Sequence, residues 1–290
     1  MGRLIRVLSL GAGVQSSTIA LMAAHGEIEP IDAAIFADTL WEPREVYTWL
    51  ICLEGFIFKQ LNPFPVYRVC HGDLKLNILE KHKESGSRFA AIPFFTETGG
   101  RGKRQCTGDF KIQPIGKEIR RLCGIGEPDP TPKKPDKKRG WKKSEYAEVI
   151  KGISWDEIER MNESKYRWER FAYPLIDLRM TRGDCLEWMK SHGYPEPPKS
   201  ACLGCPFHDD AAWARLKKES PEEFAEVVEV DHAIRAAGPV RGMSQLEYMH
   251  RSLQPIDEID FERWRMERKE KAGQTTINDF INECEGVCGV

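Results

Sequence analysis

No uninterrupted apolar run in the chain approaches the roughly 20 residues that span a bilayer as a helix, so no membrane partner is expected. Neither sign of charge dominates. The chain has 43 Lys+Arg against 45 Asp+Glu, a net charge of −2, which excludes a histone-like or generally polybasic protein and leaves any nucleic-acid contact to a local patch. Internal repeats are absent, as is low-complexity sequence beyond one Lys/Pro-rich stretch. The opening Met-Gly-Arg-Leu-Ile-Arg-Val-Leu leads straight into a strand-like segment, with no apolar region followed by a cleavage site, so export is not expected. What is present is ordinary for a folded protein: 290 residues, 41% hydrophobic and 30% charged. At about 150 residues per domain, that is one large domain or two modest ones.

Nine cysteines, an odd number without a secretion signal, point to a reducing, cytoplasmic setting. Clustered thiols there suggest metal, cluster or redox chemistry rather than a disulfide framework. Cys52, Cys123 and Cys185 lie in helix-like apolar patterns and Cys70 at a strand end, and all four are expected to be small core residues. Cys106, Cys202, Cys205, Cys284 and Cys288 remain to be explained.

Periodicity gives an alternating pattern. Strands are expected at Leu4–Leu10, Ala33–Ala37, Pro65–Val69 and Ala147–Ile153. Helices are expected at Thr18–Ala24, from Pro43 to about Phe58, and at Leu74–Lys81, Ile112–Cys123, Thr181–His192 and Pro221–Ala237. Strands alternating with helices imply an α/β fold, a doubly wound, mostly parallel sheet with helices on both faces. The expected organisation is a nucleotide-binding domain over 1–180, with an exposed insertion at about 124–143. A helical Cys-containing part over 181–272 and a tail over 273–290 follow.

The first strand breaks into Ser9-Leu10-Gly11-Ala12-Gly13-Val14-Gln15-Ser16-Ser17 before a helix. Glycines let backbone amides turn inward, hydroxyls add donors, and the helix start supplies positive potential, so the segment suits an anion. A plain glycine turn with serine caps reads equally well. It is neither a Walker A loop nor a Gly-x-Gly-x-x-Gly dinucleotide turn.

Ala12-Gly13-Val14-Gln15-Ser16 resembles the Gly-Gly-x-Asp-Ser core of the PP-loop ATP pyrophosphatases, or adenine nucleotide alpha hydrolases. Within them the chain is most similar to the phosphoadenosine phosphosulfate (PAPS) reductase branch. The other segments that carry the likeness follow in order: Asp38-Thr39, Arg104-Gln105-Cys106-Thr107, Gly152-Ile153-Ser154 with Asp156-Glu157, Cys202-Leu203-Gly204-Cys205, and Glu283-Cys284-Glu285-Gly286. Gln15 stands where many members carry Asp, Ser154 where many carry Arg, and the tail adds a second thiol at Cys288. The resemblance implies an adenine nucleotide, ATP or a relative with Mg²⁺, held by Ser9 to Ser17 with Asp38, Thr39, Arg104, Gly152 and Ser154. Asp38 would bind the metal or the ribose, or else cap a helix.

Cys202-x-x-Cys205 places two thiolates within reach of one metal, and His208 extends the pattern to Cys-x-x-Cys-x-x-His. The resemblance adds Cys106 as a distant partner. Three thiolates would hold a [4Fe-4S] cluster; the same residues with His208 would hold zinc; a thiol pair packed in a turn is the plain alternative. Cys284 and Cys288 on a terminus suit a nucleophile and its resolving thiol, as in the reductases the chain resembles, or an incidental tail. Glu283 and Glu285 would raise the pKa of a thiol between them.

The stretch 131–143 carries seven Lys or Arg residues around Trp141, which suits a nucleic-acid backbone with a stacked base, or a solvated loop. Arg101, Lys103 and Arg104 flank Cys106 and could hold phosphates. Gln274-Thr275-Thr276-Ile277-Asn278-Asp279-Phe280 looks like a sliding-clamp-binding peptide. The function expected from all this is ATP cleavage at the α-phosphate to adenylate an acceptor, with sulfur delivered through an iron–sulfur cluster; the basic stretch favours a nucleobase as that acceptor. Thiol-dependent reduction of PAPS or adenylyl sulfate by Cys284 is one alternative. A non-catalytic nucleotide- or nucleic-acid-associated module is another.

Overall fold

The structure, a computed structural model, describes residues 4–81, 92–125, 147–166, 168–237 and 245–272. The expected tail with Cys284 and Cys288, the Gln274–Phe280 peptide, the basic stretch 131–143 and most of the 124–143 insertion lie outside the described residues.

Strand β1 (Ile5–Leu10) leads into helix α1 (Val14–His25), β2 (Ala33–Asp38), α2 (Arg44–Phe58), β3 (Val66–Cys70) and α3 (Leu74–Lys81). A two-residue strand β4 (Phe95–Thr96) precedes a π-helical turn, Thr107–Ile112, that runs into α4 (Gln113–Leu122). Then come β5 (Ala147–Ile150), a 3₁₀ turn (Trp155–Arg160), β6 (Glu169–Ala172), the short α5 (Pro174–Asp177) and α6 (Arg182–Ser191). The last elements are α7 (Asp210–Glu219), α8 (Pro221–Ala237), β7 (Glu247–Tyr248) and α9 (Phe261–Ala272).

The five longer strands form one sheet in the order β3-β2-β1-β5-β6, with every neighbouring pair parallel. The fold is α/β and doubly wound, as the alternation implies. The chain builds β1, β2 and β3 outward, then crosses to the other side of β1 for β5. The carboxyl ends of β1 and β5 therefore flank a topological switch point, where open α/β sheets bind ligands.

Residues of β1 and β2 are apolar on both faces because both faces are covered. Leu8, Leu10, Ala34 and Phe36 pack with α1, α2 and with Cys185 and Met189 of α6. Val7, Ile35, Ala37 and Val149 face Ile115 and Ile119 of α4 on the other side. A separate cluster joins α3, α7, α8 and α9 to Trp41, Phe110, Cys202 and Leu203, bringing the cysteine turn beside the sheet.

Two expectations need correction. Helix α1 begins at Val14 rather than Thr18, because Gly13 takes an extended backbone and the helix starts straight after it. The polar run Gln15-Ser16-Ser17 is thereby wound into the helix and buried. Of the four cysteines expected in the core, only Cys185 is there; Cys123 is half-buried, and Cys52 and Cys70 are exposed. Cys52 lies away from the α2 stripe of Val46, Trp49, Leu50, Leu53 and Ile57, and β3 is an edge strand. Among the described residues, no helix is long and apolar enough to cross a membrane.

Candidate functional site

The loop between β1 and α1 takes its shape from its backbone. Ala12 sits at φ 59°, a left-handed conformation costly for a residue with a Cβ. Gly13 offers no side-chain cap and the first turn of α1 has no acidic residue, so its amides meet no competing anion. Ser16 Oγ accepts from the Gly11 amide at 3.2 Å. Ser17 is fully buried and its hydroxyl accepts from Trp49 Nε1 at 2.9 Å, so it faces the core rather than the loop. The Gln15 amide reaches Glu157 at 3.3 Å and Ser154 Oγ at 3.5 Å, and Arg160 holds Glu157 from the other side at 2.6 Å. A carboxylate thus lies beside Gln15, supplied from the turn after β5. Ser9 and Ser154 are both buried, and Gly152 lies against Ser16.

Asp38 ends β2, and its Oδ1 accepts from the Leu40 amide at 2.8 Å and from Tyr47 Oη at 2.7 Å. Burial and then the Asp38 carboxylate push the Tyr47 phenol well above its usual range, so it stays a donor. Thr39 turns toward the cysteines: its hydroxyl donates to Glu42 Oε1 at 2.9 Å and lies 3.6 Å from Cys202 Sγ.

The cysteine turn is docked directly on this loop. Ser200 Oγ donates to the Gly11 carbonyl, and a Cβ on Gly13 would lie 3.2 Å from the Ser200 Cβ. The Leu203 amide donates to the Trp41 carbonyl at 2.8 Å, and the Cys205 amide to the Cys202 carbonyl at 3.0 Å. Gly204 is pressed on the Trp41 ring so closely that an added Cβ would overlap it.

Cys106, Cys202 and Cys205 line one cavity of about 20 Å³ with Thr39, Thr107, Lys111 and Arg104. Phe207 also lines it, and Arg101 and Arg104 stand over that ring at 5.3 and 5.2 Å. The expected trio is therefore brought together from distant segments. His208 turns away: its Nε2 donates to the Cys202 carbonyl at 3.0 Å and its ring packs edge-on against Trp213. Burial lowers its pKa to about 4, with Lys199 adding to the effect, so the ring is neutral at pH 7.

One site residue was missed from the sequence. Glu42, 5% exposed, accepts from the Cys202 thiol at 3.3 Å and pairs with Lys111 Nζ at 3.4 Å. Its other oxygen, with Trp41 Nε1, Thr107 Oγ1 and His208 Nδ1, is buried without a hydrogen-bond partner. An acid just before a helix-opening proline was the sequence signal, and it is a weak one.

Three thiols line the cavity, but its space is that of about one water. Among the described residues, no three His, Cys, Asp or Glu side chains converge as a metal ion requires. A [4Fe-4S] cluster would require the π-helical turn and the cysteine turn to part.

Searches for a matching family model and for curated protein sequences returned no match. Among solved structures, the chain is similar to the phosphate complex of phosphoadenylyl-sulfate (PAPS) reductase from Candida auris. The identity is 12% and the TM-score 0.41, over 68% of this chain and 76% of that one.

Proposed function

We propose that the chain is a PAPS reductase-like PP-loop enzyme that binds an adenine nucleotide at the β1–α1 loop and performs sulfur chemistry at Cys106, Cys202 and Cys205. The observation that carries this reading is the hydrogen bond from Ser200 to the Gly11 carbonyl, which joins the anion-suited loop to the thiol-bearing turn. In this reading ATP is attacked at the α-phosphate by an acceptor carbonyl oxygen. Pyrophosphate leaves, and a sulfur nucleophile then displaces AMP from the adenylated carbon. The amides of Gly13 to Ser16 would hold the departing pyrophosphate and Mg²⁺ would offset its charge. Glu42, itself paired with Lys111, accepts from the Cys202 thiol and holds it in place. A nucleobase is the acceptor that the basic stretch 131–143 favours.

Incubating the full chain with α-labelled ATP, Mg²⁺ and a single-stranded oligonucleotide tests this. Labelled AMP with pyrophosphate, lost in Cys202→Ser while ATP binding is retained, is the expected result. Labelled sulfite released from PAPS, with ATP untouched, would replace this reading with reduction through Cys284. Neither product, under anaerobic reducing conditions, would remove the enzymatic proposal.

A further inference from the structure

Helix α2 buries the stripe of Val46, Trp49, Leu50, Leu53 and Ile57, and it carries apolar residues on its outer side as well. Ile51 is 61% exposed, Phe58 80%, and Leu61, in the turn that follows, 80%. Ile51 and Phe58 are one heptad apart and so lie within about 20° of each other around the helix. Gly55 stands between them along the axis, at the middle of the exposed side. A glycine inside a helix is less favourable than alanine, and nothing in this fold requires one there. Its φ is not positive, and a Cβ built on it would meet nothing within 4 Å among the described residues. A bare position on an exposed apolar face lets a second helix approach closely.

Charge decides what packs there. Glu45 near the start of α2 and Lys59 just past its end share one edge of the exposed side, with Cys52 midway between them. A second α2 laid antiparallel, its two-fold axis at the level of Cys52 and Leu53, would set Glu45 of each copy against Lys59 of the other. The same register would seat Ile51 on Gly55 of the second copy, Phe58 against Thr48 and Leu61 against Tyr47. Glu54 would meet its own copy, but Arg68 already holds it at 2.9 Å. A parallel pairing would instead oppose Glu45 to Glu45 and Lys59 to Lys59.

We propose that the outer face of α2 is a self-association surface, on which a second copy of this chain packs its own α2 antiparallel to form a two-fold dimer. One helix pair buries less than the ~800 Å² per partner of a standard interface, so the dimer dissociates in the micromolar range. The contact faces away from the sheet and stands independently of the chemistry proposed above.

The test is sedimentation velocity of the full chain over a roughly hundredfold range of concentration spanning the micromolar. Wild type should pass from monomer to dimer across it. Gly55→Gln should stay monomeric at the top of the range, yet resist urea better than dilute wild type, because it improves helix propensity while blocking the closest contact. Glu45→Lys should weaken the dimer about fivefold or more, and Lys59→Glu added to it should restore association. In wild type, iodoacetamide labelling of Cys52 should slow several-fold as concentration rises, while that of Cys70 on β3 stays constant. Wild type that remains a monomer throughout overturns the proposal. So does a dimer that Gly55→Gln leaves intact, or one in which Cys52 labels as fast as in the monomer, because its contact then lies on another face. A charge swap that fails to restore association overturns the antiparallel two-fold arrangement.

Discussion

Thiols of one chemical kind behave differently here because their surroundings differ. Cys185 has no exposed surface, and burial pushes its pKa up to about 12, so it is an inert thiol at any working pH. Cys52 and Cys70 are open to solvent. Under native conditions, iodoacetamide followed by peptide mass spectrometry should label Cys52 and Cys70 within minutes and leave Cys185 unmodified until the chain unfolds. Labelling of Cys185 in folded protein would contradict the packing of α6 on α1. Lys151 gives a pH-dependent counterpart. Its folded pKa lies near 8, below the ordinary 10.5, so between those values the unfolded chain binds more protons and folding gains stability as pH rises. Wild type should therefore gain stability relative to Lys151→Met across that window, and urea unfolding of both proteins at pH 7.5, 9 and 10 measures the difference. Gly204 is the tightest point of the site. Gly204→Ala drives a methyl into the Trp41 ring and should cost about 2 kcal/mol, read by denaturant unfolding.

Regular elements follow from pattern where pattern is strong. The apolar stripe of α2, the buried runs of β1 and β2, and the spans of α3 and α8 all match what periodicity predicts. Strand β6 was not foreseen, because Glu-Arg-Phe-Ala on a sheet edge has neither alternation nor β-branched residues. The π-helical turn at Thr107–Ile112 lies ahead of the helix expected from Ile112, and Lys111 is buried there beside its partner Glu42. Glu42 itself was illegible for a physical reason. Its role depends on Thr39, Lys111 and Cys202 meeting in space, and no local spacing encodes that meeting. Where a charge crosses the sheet, its effect belongs to the strands it joins. Glu148 on β5 accepts from Arg6 of β1 at 2.6 Å and from Arg170 of β6 at 2.9 Å, with its side chain 10% exposed. Glu148→Ala leaves both guanidinium groups without this partner and should lower stability by about 2 kcal/mol, measured by thermal or urea unfolding, with the fold retained.

For the molecule as a whole, the decisive feature is the docking of the cysteine turn on the loop after β1. Ser200→Ala removes the hydroxyl that joins them. Stability should fall by only about 1 kcal/mol, while Cys202 and Cys205 should alkylate several times faster, because the turn is then free to lift from the sheet. Equal alkylation rates in variant and wild type would mean that the contacts of Cys202, Leu203 and Gly204 with Glu42 and Trp41 hold the turn without Ser200.

The order of these parts along the chain has its own consequence. All five strands of the main sheet are complete by Ala172, whereas the partners Thr39 and Cys202 are 163 residues apart. During synthesis the anion-suited cradle can take shape while residue 202 is still unmade, and loop closure over so long a separation comes late. Cys202 and Cys205 thus join the chain only after the sheet on which their turn docks is complete.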